Sequence, residues 1–358
     1  MRFIKHLVKY IFILGIIIQV CLFLIRTLID TNQDVFNYLS GYNNWILDLF
    51  LYIPNFIYLL PCILFIFFGL WLKQKFIVLL YIICLLLMYA YNLDYNFKDN
   101  TNKKDKNSYK IMTFNINHGN NLKDKKDLKL FLDDINPDII AYEAFPKENI
   151  KNDIIDYQNF LPDNEKKSDK SFNKCFISKP DNNIVLFSRL SIIESKSIKL
   201  QDDNYALFAK LEVKEGFPPL YIIVVNLNQV FPKSFEDDRK KQYDELINML
   251  GITEKIKRSS DKSSIILLGS FNFPPDTKFA RSLREGAKDN NGIMQEGYHY
   301  KDSFLEAGSG FEYTYHSYLP VTRIDQIYGN DSIEFTNHYT KWKWFSNHFP
   351  VIAEFKLK

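Results

Sequence analysis

Two polar side chains two residues apart, Ser270 and Asn272, close the apolar run Ile265-Ile266-Leu267-Leu268-Gly269. In a strand, residues i and i+2 share a face, so the pair is expected to look into one cleft, as a candidate catalytic corner. A general base at such a corner calls for a carboxylate or an imidazole, whereas Ser270 brings a hydroxyl. Further along, Arg323 and Asp325 stand at the same spacing, and His348 follows Ser346 and Asn347. Asn115 and Asn228 end two other apolar runs. Each of these residues also has a plainer reading. Asn115 fits a strand-end turn, Arg323 with Asp325 an exposed cross-strand pair, and His348 a hydrogen-bonded surface residue. His6, His299, His316 and His338 form no ligand spacing, and the four cysteines include no C-x-x-C pair, so no structural zinc is expected.

The elements that must position these residues follow from periodicity. Strands are predicted over 110–117, 138–142, 183–187, 205–213, 220–228 and 264–272. Helical spacing predicts helices over 127–135, where Pro137 stops the pattern, and over 237–250. Helices thus lie between apolar strands, with hairpins as well. This mixture predicts an α+β sandwich of two stacked sheets with helices outside. Strand ends converging at one edge would make the cleft.

In that order and at that spacing, the motifs of residues 110–358 resemble the endonuclease/exonuclease/phosphatase superfamily. They are Met112-Thr113-Phe114-Asn115, Pro137 to Ala144, Asn183 to Arg189, Asn226-Leu227-Asn228, Gly269-Ser270-Phe271-Asn272, Asp302, Thr314, Arg323-Ile324-Asp325-Gln326-Ile327 and Ser346-Asn347-His348-Phe349-Pro350. The resemblance implies a four-layer α/β sandwich of two packed mixed sheets flanked by helices, and phosphoester hydrolysis dependent on Mg²⁺ or Mn²⁺. It implies Glu143 and Asn115 as metal-holding residues. It implies His348, Asn272, Asn228, Asp325, Ser270 and Asn347 as the catalytic positions, with Arg323 on the substrate. The chain departs from the family pattern where Ser270 and Asn347 replace Asp and Asn228 replaces His. Asn347 is expected to orient the His348 ring without a charge. Counted from Asp138, the family's Glu position falls on Ala144, and Glu143 recovers it if the preceding loop is one residue shorter. A one-residue shift turns a side chain to the other face of the sheet.

The first ninety-odd residues differ in character. Runs without charge cover 10–25, 49–72 and 76–93, against the ~20 apolar residues that cross a bilayer. They predict a three-helix membrane anchor over 1–95, followed by a polar linker over 96–109. Arg2, Lys5, Lys9, Lys73 and Lys75 flank these runs, and 27–48 carries no Lys or Arg. The positive-inside rule then predicts a multi-pass protein of the cell (inner) membrane with its domain on the extracytoplasmic or periplasmic face. The formal charge of +3, from 45 basic and 42 acidic residues, gives the whole chain no nucleic-acid footprint.

Three functions follow as expectations. The first is a metal-dependent phosphoester hydrolase. The second is a degenerate pseudo-hydrolase that binds through the retained cleft. The third is a tethered interaction module. The partners expected are a lipid bilayer through the three helices and a phosphorylated small molecule, lipid headgroup or nucleic acid.

Overall fold

The computed structural model describes residues 59–71, 75–92, 108–120, 125–151, 172–177, 183–201, 204–213, 217–229, 235–259, 263–275, 299–320 and 322–358, with scattered positions between them. The chain divides into two compact units, Met1–Tyr95 and Asn96–Lys358.

In the first unit, helix α1 spans Leu59–Trp71 and α2 spans Lys75–Asn92. They pack through Phe65 and Tyr81, whose rings stack at 5.0 Å. The expected membrane placement is corrected here: among the described residues, no helix is long and apolar enough to cross a membrane. At about 1.5 Å per residue, the 13 residues of α1 reach about 20 Å, against a hydrocarbon core of ~30 Å. The 18 residues of α2 reach about 27 Å and end on the polar Asn92. Most of the run at 10–25, and residues 49–58, lie outside the described residues.

The second unit contains two six-stranded mixed sheets. Its main strands are β1 (Tyr109–Asn115), β2 (Ile139–Glu143), β3 (Asn173–Ile177), β4 (Ile184–Ser188), β5 (Ser191–Gln201), β6 (Asn204–Glu212), β7 (Leu220–Asn226), β8 (Ser264–Ser270), β9 (Lys301–Asp302), β10 (Asp325–Gly329), β11 (Ile333–Thr340) and β12 (Val351–Leu357). The first sheet runs β11-β12-β1-β2-β4-β3 and the second β9-β10-β8-β7-β6-β5. Each contains one parallel pair, β1 with β2 and β7 with β8. A parallel pair needs a crossover, and helices supply both: α3 (Lys125–Ile135) and α4 (Phe235–Ser259). A short α5 (Ser303–Ala307) follows β9.

Alternation along the strands sets the layers. Ile111, Ile139, Ala141, Leu186, Ile222, Val224, Ile266, Leu268, Ile327 and Val351 form the core between the sheets. The intervening Met112, Phe114, Ile140, Tyr142 and Phe187 pack on the other face, under Leu128, Phe131, Leu132 and Ile135 of α3. The inward set continues at the strand ends into polar residues. Thr113 and Asn115 follow Ile111 in β1, Glu143 follows Ala141 in β2, Ser270 follows Leu268 in β8, and Asp325 precedes Ile327 in β10. The period of two therefore gathers the polar residues between the sheets at one end of the core.

One glycine makes this approach possible. Gly269 pairs with Val225 across the parallel ladder, with φ at 132°. A Cβ there would meet the Val225 carbonyl oxygen at 2.0 Å, so only glycine leaves the strand end where it is.

Candidate active site

A directed hydrogen-bond chain crosses the gap between the two sheets. Asn115 Nδ2 donates to Ser270 Oγ at 2.9 Å, and Ser270 Oγ donates to Asp325 Oδ1 at 2.5 Å. The other carboxylate oxygen, Asp325 Oδ2, lies 2.8 Å from His348 Nδ1. A serine hydroxyl has one proton, and here it goes to Asp325, so both oxygens of Asp325 act as acceptors. Nδ1 of His348 is then the donor, and Nε2 is the nitrogen left for other work. All four side chains are buried.

The sequence assigned orientation of the His348 ring to Asn347, and the structure corrects this. Asn347 is half-buried; its Oδ1 lies 3.2 Å from Ser346 Oγ, whose proton goes to the Asn115 carbonyl at 2.7 Å, and its own carbonyl accepts from Ser317 N at 2.8 Å. The ring is held by Asp325, so it keeps a charged partner despite the substitution at Asn347. Tyr315 closes on the ring with a centroid distance of 4.8 Å.

Glu143 is fully buried and pairs in register with Asn115. Its Oε1 accepts from Thr113 Oγ1 at 2.6 Å, and its Oε2 has no hydrogen-bond partner. Ala144, the alternative metal position, has left the strand with φ at 48°. Glu143 therefore shares the inward face with Thr113 and Asn115. Burial, and secondarily the nearby Asp325 charge, push the Glu143 carboxyl well above the ordinary range, with the Thr113 hydrogen bond opposing them.

Asn272 does not share a strand face with Ser270. The strand stops at Ser270, and Asn272 adopts φ of 56°. Its Nδ2 donates to the Leu227 carbonyl at 2.6 Å and lies 3.4 Å from Asn226 Oδ1, while its Oδ1 is buried without a partner. Asn228 lies beyond the end of β7. Its backbone N donates to Glu245 Oε2 at 2.8 Å, and its carbonyl accepts from Gln242 Nε2 at 2.9 Å. Gln242 also donates to the carbonyls of Phe271 and Asn272. One face of α4 thus ties the loop after β7 to the loop after β8. The sequence reading missed Gln242 and Glu245, although their spacing of three on a predicted helix was the available signal.

Arg323 is placed apart from this chain. Its Nη1 and Nη2 donate to Asp302 at 2.9 and 2.7 Å, its Nη1 lies 3.5 Å from Glu312, and it is 2% exposed. Burial pushes the Asp302 carboxyl up, but the Arg323 guanidinium more than offsets this and the net pKa is lowered. Asp302 also caps α5, accepting from Phe304 N at 3.0 Å. The i, i+2 pair was read as one functional face; instead Asp325 serves the hydrogen-bond chain and Arg323 anchors β9.

A divalent cation, which a fold of this kind implies, can be weighed against these side chains. Among the described residues, no group of three or more His, Cys, Asp or Glu is placed to hold a metal ion. The buried, unpartnered Glu143 Oε2 is nevertheless the type of atom a hard cation takes. Mg²⁺ commonly binds through one or two carboxylates and completes its shell with water and substrate phosphate. Glu143 with Asn115 fits that mode.

No family model and no curated protein matches the sequence. Solved structures do match. The human Nocturnin catalytic domain with bound sulfate gives a TM-score of 0.53 at 16% identity, covering 70% of this chain and 95% of that one. An endonuclease/exonuclease/phosphatase from Bacteroides vulgatus gives 0.52 at 15% identity, over 71% of this chain and 100% of that one. The Bacteroides thetaiotaomicron mannosyl-6-phosphatase gives 0.52 at 12% identity, over 70% and 100%. At these identities the likeness is one of architecture: the two packed mixed sheets and their helices form the endonuclease/exonuclease/phosphatase fold.

Proposed function

We propose that the protein is a phosphoester hydrolase dependent on a divalent cation. The observation that carries this reading is the Asp325–His348 pair, at 2.8 Å, in the same buried set as the unpartnered Oε2 of Glu143. Glu143 and Asn115 would hold Mg²⁺ or Mn²⁺, which neutralises phosphate charge and polarises the P–O bond. The chain's own residues do the rest. Asp325 fixes the His348 ring through Nδ1, which leaves Nε2 to hydrogen-bond a phosphoryl oxygen as charge develops there. Ser270 keeps Asp325 and Asn115 in register across the two sheets. Asn228 and Asn272 sit on the two loops that α4 ties together, where amide groups suit phosphoryl oxygens. The substrate class at this level is a phosphorylated small molecule, a lipid headgroup or a nucleic acid.

A second reading, a pseudo-hydrolase that binds without turnover, is favoured by one observation. Ser270 occupies the corner with a hydroxyl already committed to Asp325, so that position supplies no general base. The full chain, assayed on generic phosphodiester and phosphomonoester substrates with Mg²⁺ or Mn²⁺ and again with a chelator, separates the two. Cation-dependent turnover supports the hydrolase. Phosphate binding without turnover under every condition would leave the pseudo-hydrolase.

A further inference from the structure

We propose that the aromatic surface beside His348 is a stacking platform for the bases of a single-stranded polynucleotide. The proposal rests on the phosphoester reading of the Asp325–His348 site and names the substrate class for it. Ring contacts run outward from His348 without a break. Tyr315 lies 4.8 Å from the His348 ring and 5.1 Å from His316; His316 stacks on Tyr318 at 5.4 Å; Tyr318 lies 5.5 Å from Trp344. Phe349, the residue after His348, supports both tryptophans. Its ring is parallel to Trp342 within 3° at 5.9 Å and edge-on to Trp344 at 6.3 Å.

The outer members of this set are open to solvent. Tyr318 is 73% exposed, Trp342 61% and Trp344 59%. A tryptophan backed on one face by a phenylalanine and open on the other is a rigid plate. Such plates bind planar rings at little cost in conformational entropy.

Charge selects an anionic occupant. Lys341 and Lys343 alternate with Trp342 and Trp344, and both lysines are exposed. Residues 313–324 and 335–353, which carry the platform, contain no Asp or Glu. The one arginine there, Arg323, is neutralised internally by Asp302. The surface is therefore locally basic although the chain as a whole is near balance. Interleaved rings and ammonium groups are what single strands require: bases stack on the rings while the cations follow the backbone. Among the described residues of these loops the exposed aliphatic side chain is Leu319, which leaves little for insertion into a hydrocarbon layer. Continuity with His348 places the platform where a polynucleotide with one phosphate at the site would lay its neighbouring bases.

The test uses the full chain and three probes, with a chelator present so that binding is read without turnover. Labelled oligothymidylate should bind. Trp342→Ala and Trp344→Ala should each weaken it by roughly tenfold, with Trp344→Phe recovering most of the loss and circular dichroism confirming an unchanged fold. Lys341→Ala with Lys343→Ala should reduce the slope of log affinity against log salt by roughly 1.4. Inorganic phosphate should bind the tryptophan variants as it binds the parent protein. Oligothymidylate affinity that ignores both tryptophans overturns the proposal, as does tryptophan-dependent binding to phosphatidylserine vesicles but not to the oligonucleotide. The assay on generic phosphoesters is separate. Tryptophan-dependent oligonucleotide binding without hydrolysis would sink the hydrolase reading and leave the platform standing; hydrolysis without tryptophan dependence would do the reverse.

Discussion

Replacing Ser270 by Asp puts a carboxylate between Asn115 and Asp325 and should destabilise the protein unless a cation is present. Ser270 Oγ lies 2.9 Å from Asn115 Nδ2 and 2.5 Å from Asp325 Oδ1. A carboxylate on the same carbon keeps the first hydrogen bond and turns the second into a contact between two acceptors. Two like charges about 4 Å apart cost ~4 kcal/mol at an effective dielectric of ~20. Proton uptake by the cluster limits the loss, which leaves an expected destabilisation of about 3 kcal/mol near neutral pH, at the low end for an uncompensated buried charge. Urea titration in chelator reads this as a lower midpoint at unchanged slope. Adding Mg²⁺ or Mn²⁺ should then recover most of the loss by binding to the native state alone, and should move the parent protein less. A Ser270→Asp protein within about 0.5 kcal/mol of the parent in chelator, or one that ignores the cation, would refute the placement of Ser270 between Asn115 and Asp325 beside Glu143.

Three other substitutions probe the surroundings. The Glu143 carboxyl titrates above its ordinary value of 4.5 in the native state, so the native protein holds a proton that the unfolded chain has lost. Stability therefore falls as pH rises through that window, by about 1.4 kcal/mol for every pH unit between the two pKa values. Glu143→Gln, which keeps the acceptor for Thr113, should gain stability near neutral pH and converge with the parent at acidic pH; parallel urea curves at two pH values check this. Asp302→Asn takes from the Arg323 guanidinium, buried at 2% exposure, the carboxylate that binds both its terminal nitrogens, leaves it Glu312 at 3.5 Å, and should cost about 1.5–3 kcal/mol in the same assay. Gly269→Ala drives a methyl to 2.0 Å from the Val225 carbonyl oxygen and should cost more than about 4 kcal/mol, which thermal unfolding would report.

Strands buried on both faces were legible in the sequence as continuous apolar runs, and an amphipathic helix by its spacing. The apolar runs at 138–142 and 264–272 became β2 (Ile139–Glu143) and β8 (Ser264–Ser270), and the helical spacing at 127–135 became α3 (Lys125–Ile135). The sheet edges were not legible. β5 (Ser191–Gln201) is exposed along most of its length, so no buried face imposes a period of two, and β3 (Asn173–Ile177) is the last strand of its sheet. At the site, residue types along the chain named Asn115, Ser270, Asp325 and His348, but spacing could not reveal that Asp325 rather than Asn347 holds His348. That contact joins residues 23 apart with the whole of β11 between them, and no periodicity spans it. The extrapolation from Ser270 to Asn272 failed for a local reason: the i, i+2 rule ends where the strand ends, and Asn272 is left-handed. Membrane crossing was inferred from uncharged runs, but charge-free length is not helix length. The described helices break at Trp71 and Asn92, and none is long and apolar enough to span.

The central claim, that Asp325 and His348 work beside Glu143 on a phosphoester, is tested most directly by turnover of a generic phosphodiester by the full chain and by its His348→Ala variant. Both are measured with Mg²⁺ or Mn²⁺ and with chelator, after circular dichroism has shown both to be folded. The account predicts cation-dependent turnover in the parent protein and a fall of roughly 10²–10⁴-fold in the variant. A parent rate equal to that of the folded His348→Ala protein, with or without the cation, would contradict it.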